Sequence, residues 1–89
     1  MEKKFTYYYS STFAKKIHKL PHHIKKKLIK KEKLIKQNIF HPNLRTHKLS
    51  GKLNNYWSLA IDYHYRISFK FINDHEILLL DVGTHSVYK

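Results

Sequence analysis

The sequence has no cysteine and few glycine, proline or acidic residues. Without Cys among its 89 residues it can form neither disulfides nor thiolate metal sites. Only two Gly and two Pro occur, which argues against disorder and is typical of a folded domain. The six Asp and Glu residues are few for a nuclease that holds two metal ions between carboxylates, so the composition disfavours that class of enzyme.

Long apolar segments are also missing. No apolar run approaches the length that crosses a membrane. The N-terminus passes directly from charged residues into the mixed aromatic and polar segment 5–9, which does not resemble a secretory signal. We therefore expect a cytoplasmic protein that forms a single domain over residues 1–89.

Positive charge is the most pronounced feature that is present. The formal net charge is +12, and the charge is unevenly distributed. Residues 1–52 contain 15 Lys and Arg against two Glu, which gives +13, whereas residues 53–89 carry −1. Such a field attracts polyanions and accelerates their association. The composition indicates a nucleic-acid partner first and an acidic protein partner second.

Apolar residues follow strand and helix periods in a definite order. Alternation predicts strands over 3–9, 56–61 and 65–72, and an almost wholly apolar run predicts a central strand over 77–82 that Gly83 ends. Helical spacing predicts one helix over 11–20 and a second from Pro21 to about residue 38. Residues 39–55 have no clean period and are expected to form a loop. The order β-α-α-β-β-β predicts an α+β fold, with a helical hairpin packed on a four-stranded, mainly antiparallel sheet.

The second predicted helix has an outer face made of lysine. Its members are Lys25, Lys26, Lys27, Lys30, Lys31, Lys33 and Lys36, with Glu32 as the acidic residue among them. A run of this kind is usually a solvated surface. Like charges at helical spacing repel one another, however, and a structural face would normally mix signs. Binding to phosphates or to an acidic partner would account for the imbalance.

Eight histidines offer a second kind of chemistry. None of them shows helical metal-ligand spacing with an intervening carboxylate, so a metal site is not expected. Histidine is better suited here to acid–base work, because its pKa lies near neutrality. Two are distinguished by position: His47 in the loop before the second strand, and His85 directly after the buried strand, beyond Gly83.

Arg66 alternates with the apolar residues of its strand and lies on the face opposite them. On a concave surface its guanidinium would form a fork for a phosphate. The alternative is a structural ion pair with Asp62 or Asp81. A basic protein with His and Arg can cleave RNA without a metal, because the RNA supplies its own 2′-hydroxyl as nucleophile.

Several short motifs then occur in a characteristic order along the whole chain. They are His47-Lys48-Leu49-Ser50-Gly51, Tyr56-Trp57-Ser58, Tyr65-Arg66-Ile67, Leu80-Asp81-Val82-Gly83-Thr84-His85 and finally Tyr88. In order and spacing this set resembles the RelE/ParE toxin superfamily, and most closely its histidine-type YafQ-like and YoeB-like branches. The resemblance implies the toxin of a type II toxin–antitoxin system, an endoribonuclease that cuts mRNA in the ribosomal A site and leaves a 2′,3′-cyclic phosphate.

The same resemblance implies a catalytic set of His47, Arg66, His85 and Tyr88. Arg66 would stabilise the scissile phosphate, and His85 would be the general acid. His47 would be a functional residue, and Tyr88 would be the terminal aromatic residue of the site. Which residue acts as general base stays open. For RNA binding we expect the helix face and the following loop, namely Lys25, Lys26, Lys30, Lys33, Arg45, Lys48 and Lys52.

The implied partners are an acidic cognate antitoxin, the ribosome with its RNA, and mRNA, without a metal, cofactor or membrane. ParE-like members of the superfamily poison DNA gyrase instead. A gyrase poison, or an inactive homologue that only binds its antitoxin, is therefore the alternative to the nuclease.

Overall fold

The structure of the protein is a computed structural model, which describes residues 4–50 and 55–84. In this part of the chain two helices and five strands form an α+β fold. Their bounds are β1 Thr6–Tyr9, α1 Ser11–Ile17, α2 His22–Gln37, β2 His47–Lys48, β3 Trp57–Ala60, β4 Tyr65–Phe71 and β5 Glu76–Thr84, with a 3₁₀ turn at Pro42–Leu44. The predicted α+β architecture is confirmed, and the sheet has one strand more than predicted.

The sheet has the order β1-β5-β4-β3-β2. The first strand pairs with the last in parallel, and the other three pairings are antiparallel. A parallel pair needs a long crossover between its strands. Here the whole intervening chain supplies that crossover, and β5, β4 and β3 form the interior of the sheet, with β1 and β2 at its edges.

Helix α1 begins at a side-chain cap. Ser10 has an extended backbone, and its hydroxyl oxygen accepts the N–H of Phe13 at 3.0 Å. The same hydroxyl donates to the carbonyl oxygen of Leu80 on β5 at 2.7 Å. This residue therefore joins the start of the helix to the centre of the sheet, and α1 lies alongside β5.

The first helix is shorter than predicted. It ends at Ile17 rather than near residue 20. The N–H groups of Lys19 and Leu20 bond to carbonyls only three residues back, which tightens the chain into a turn. The physical reason lies in Pro21, because a proline disfavours helical backbone in the residue before it.

Helix α2 agrees with the prediction within a residue at each end. Ile24, Leu28 and Ile35 form its buried stripe. They pack into one core with Phe13 of α1 and with apolar residues of the sheet, including Phe69. The 3.6-residue period therefore identified the face that is removed from water.

The predicted loop over 39–55 was wrong in part. It contains the 3₁₀ turn and the short edge strand β2, in which His47 lies across from Ser58 and Lys48 across from Trp57. Both residues of β2 are exposed. A strand of two exposed residues has no apolar alternation, so no period in the sequence could indicate it.

The predicted end of the last strand was also wrong. Gly83 and Thr84 continue β5 and pair with Arg66 and Tyr65. The register between β4 and β5 shifts after Ser68, which leaves one extra residue on β5. Glycine weakens a strand but does not end it where a neighbouring strand supplies the hydrogen bonds.

The cap at Ser10 generates the first testable prediction. Ser10→Ala removes both the acceptor for the Phe13 N–H and the donor to the Leu80 carbonyl. We expect it to lower the free energy of unfolding by about 1–2 kcal/mol in denaturant titrations. The matched control is Ser11→Ala at the exposed first position of α1, for which a change within about 0.5 kcal/mol is expected. Equal losses in the two variants would show that the cap does not contribute.

Candidate functional site

One face of the sheet carries polar and small residues. The register pairs His47 with Ser58, Ser58 with Ser68, and Ala60 with Arg66. Residues directly across from each other leave the sheet on the same side, so these five share one face, called here the polar face. The core residues Leu59 and Ile67 alternate with them and point to the other side.

The polar face brings two predicted catalytic residues together. His47 and Arg66 lie two strands apart and are offset by two positions along the strands. Strand spacing and rise place their backbones about 12 Å apart. Both Ser58 and Ser68 are buried between them. The two long side chains therefore border an area of the polar face that is lined by small side chains.

His47 is exposed, and one of its ring nitrogens has a partner. Nδ1 lies 3.0 Å from the carbonyl oxygen of Arg45. A carbonyl can only accept a hydrogen bond, so this geometry assigns the proton to Nδ1. In the neutral ring Nε2 then carries a lone pair. The arrangement suits a residue that accepts a proton through Nε2.

Arg66 is half-buried and is held by a main-chain carbonyl. Its Nη1 donates to the carbonyl oxygen of Asp62 at 2.8 Å. The two acidic residues proposed as ion-pair partners are engaged elsewhere: Asp62 with Lys27 at 3.4 Å and Asp81 with Lys16 at 2.8 Å. Of the two interpretations, the structural ion pair is therefore not found among the described residues.

The turn before β4 is organised by the Asp62 carboxylate. One of its oxygens accepts the N–H of His64 at 2.9 Å and that of Tyr65 at 2.8 Å. Burial alone would raise the pKa of the Asp62 carboxyl, but these two hydrogen bonds and Lys27 outweigh it and lower the pKa below its usual value. An ionised Asp62 therefore fixes the turn that presents Arg66.

Sequence reasoning passed over Asp62 as a site-forming residue. The signal that could have revealed it is local, since Asp before a tight turn commonly accepts the N–H two residues on. Lys31 was likewise grouped with the other helix lysines, but its Nζ donates to the carbonyl oxygen of Asn43 at 2.9 Å. It reaches a cavity that Arg66 also lines.

The lysines of α2 do not form one uniform surface. Lys26, Lys30 and Lys33 are exposed, whereas Lys25 is half-buried and borders a cleft with Ile17 of α1. The other predicted RNA-binding residues lie apart from them. Arg45 follows the 3₁₀ turn, and Lys48 lies across from Trp57, on the side of the sheet opposite His47. RNA binding by this set stays a prediction.

Three predicted site residues, Lys52, His85 and Tyr88, lie outside the described residues. Thr84 directly precedes His85 in the sequence and pairs with Tyr65, next to Arg66 on β4. Opposite Arg66, β5 carries Gly83, which has no side chain to occupy the space beside the guanidinium.

The described residues contain no group of three or more His, Asp and Glu that could ligate a metal ion. Neither α1 nor α2 combines the length and apolar character that crossing a membrane requires.

Comparisons with known proteins rest on structure. No protein-family model and no curated protein sequence matches the chain. Among solved structures it is similar to a chain of the toxin–antitoxin complex RelBE2 from Mycobacterium tuberculosis, with a TM-score of 0.75, 18% identity, and coverage of 92% of this chain and 99% of that one.

Two further structures show the same likeness. A mutant of YafQ from E. coli has a TM-score of 0.73 at 19% identity, with 94% of this chain and 97% of that chain covered. The YoeB/ParE toxin from Agrobacterium tumefaciens has a TM-score of 0.73 at 13% identity, with 91% and 99% covered. The chain therefore has the fold of the RelE/ParE-type toxins.

Proposed function

We propose that this protein is the toxin of a type II toxin–antitoxin pair, and that it acts as a ribosome-dependent endoribonuclease on mRNA. The observation that carries the proposal is the polar face, on which His47 and Arg66 stand two strands apart. The toxin fold and the net charge of +12 support it, since both substrate and ribosome are polyanions.

The proposed reaction uses the 2′-hydroxyl of the RNA as nucleophile. Nε2 of His47 takes the hydroxyl proton, and the oxygen attacks the adjacent phosphorus. The guanidinium of Arg66 stabilises the negative charge that develops on the non-bridging oxygens. His85 protonates the departing 5′-oxygen, which leaves a 2′,3′-cyclic phosphate and a 5′-hydroxyl. Tyr88 completes the site, and no step requires a metal.

The proposed partners follow from charge and from the similar structures. One of these is a toxin–antitoxin complex, and another is described as the DinJ–YafQ complex of E. coli. An acidic antitoxin would be attracted to the half of this chain that carries +13. The ribosome would be bound through the exposed lysines of α2, such as Lys26, Lys30 and Lys33.

Substitution of Arg66 tests whether its guanidinium acts in catalysis or stabilises the fold. Arg66→Ala should slow single-turnover cleavage on programmed ribosomes by about 10²-fold or more, the scale of losing a positioned charge donor. Its melting temperature should stay within a few degrees of the wild type, because no ion pair is lost. Lys19→Ala, which removes an exposed cation in the turn after α1, is the control and should cleave normally. A collapse of folding in Arg66→Ala would assign the residue a structural role.

A substrate with a 5′-bridging sulfur distinguishes the roles of the two histidines, because the sulfur leaves without protonation. His85→Ala should slow cleavage of normal RNA by about 10²–10⁴-fold, the span of general acid–base groups, and the sulfur substrate should restore much of the rate. His47→Ala should be slow on both substrates, because the 2′-hydroxyl must still be deprotonated. Rescue of His47→Ala instead would exchange the two roles.

The function as a whole is tested by expressing the chain in bacteria and mapping mRNA 5′ ends. New 5′-hydroxyl ends within reading frames are expected, and they should disappear in the Arg66→Ala strain. Growth arrest with DNA damage and intact mRNA would identify a gyrase poison. Absence of any toxicity would identify an inactive homologue.

A further inference from the structure

Two further cations line a cavity together with Arg66, and we propose that these three side chains bind an RNA phosphate. Next to the polar face lies a cavity of about 200 Å³, called here the cationic cavity. Among the residues that line it are Lys31, Arg45 and Arg66, together with Asn43, Ala60 and Asp62. The inference is that Arg45 and Lys31 hold the phosphate together with Arg66. It rests on the proposed function, because it adds Lys31 to the substrate-binding residues of the same site and assigns a phosphate to Arg45, which was already expected to bind RNA.

The charge of the cavity is positive despite its one carboxylate. Asp62 is already engaged, since its Oδ1 accepts two main-chain N–H groups and its Oδ2 lies 3.4 Å from Lys27. Three cations therefore face a carboxylate that another lysine helps to neutralise. An anion entering the cavity meets a net attraction.

The cations are held by uncharged groups. Lys31 bonds to the carbonyl oxygen of Asn43 at 2.9 Å, and Arg66 bonds to that of Asp62 at 2.8 Å. A carbonyl fixes the position of a cation without cancelling its charge. Lysine has three donors and arginine has five, so both keep donors for a ligand. A tetrahedral phosphate is an acceptor that can use several of them at once.

The backbone of Arg45 supplies an independent observation. Its φ of 50° and ψ of 40° lie in the left-handed region, and within residues 4–50 and 55–84 it is the one non-glycine residue with positive φ. Glycine would adopt this conformation without strain. Strained positions of this kind cluster at functional sites. An arginine at this position is therefore a candidate for a functional side chain.

The same residue connects the cavity to His47. The N–H of Arg45 closes the 3₁₀ turn by bonding to the carbonyl oxygen of Pro42 at 3.1 Å, and its own carbonyl oxygen lies 3.0 Å from Nδ1 of His47. One residue thus lines the cavity with its side chain and orients the proposed base with its main chain. Among the described residues its guanidinium has no acidic partner.

Arg45→Gly tests the proposal with little risk to the fold, because glycine favours the observed backbone while the guanidinium is removed. The probe is an RNA trinucleotide with 2′-O-methyl groups, which cannot be cleaved, titrated into the free protein at low salt. We expect Arg45→Gly and Lys31→Met each to weaken binding about 10-fold or more, the range of a lost charge-assisted hydrogen bond. The salt slope of binding should fall by about one phosphate contact in each variant.

The control is Lys19→Met, which removes an exposed cation that does not line the cavity, and this variant should bind the trinucleotide like the wild type. Melting temperatures check that all three variants are folded. Unchanged affinity in Arg45→Gly, or no binding by the wild type, would overturn the proposal. Because this measurement needs neither ribosomes nor cleavage, it separates the two proposals. Weakened binding in the variants together with uncut cellular mRNA would retain the cavity and reject the nuclease.

Discussion

The parallel pairing of β1 with β5 is the constraint on which the rest of the structure depends. Thr6 to Tyr9 run beside Glu76 to Leu79, so the first and last strands are neighbours. Ser10 then anchors the start of α1 to the carbonyl of Leu80. Because the chain between these strands must return to the same sheet, α1 and α2 bury their apolar stripes together with one face of it.

The other face can then take a different role. It carries His47 and Arg66 with small residues between them, and none of these contributes to the core cluster. Loops and strand ends on a rigid sheet can hold polar groups at set distances. The geometry of the candidate site therefore follows from the register of the strands, which in turn is set by the packing on the opposite side.

Three of the few acidic residues make contacts between neighbouring elements of the fold. Asp81 pairs with Lys16, Asp62 with Lys27, and Glu76 accepts from Tyr8 at 2.6 Å. These carboxylates join neighbouring elements, while Arg66 and Lys31 are fixed by carbonyl oxygens. The cations of the site therefore outnumber its one carboxylate, Asp62, which is the condition a phosphate ligand requires.

The sequence by itself determined the fold class, helix α2 and the long strand β4, because each has enough residues for its apolar period to be read. It also singled out His47 and Arg66. Only the tertiary structure decided that β2 exists and that β5 continues through Gly83. The reason is that both features depend on hydrogen bonds to a neighbouring strand. The apolar period of a short segment does not show which other segment it will pair with.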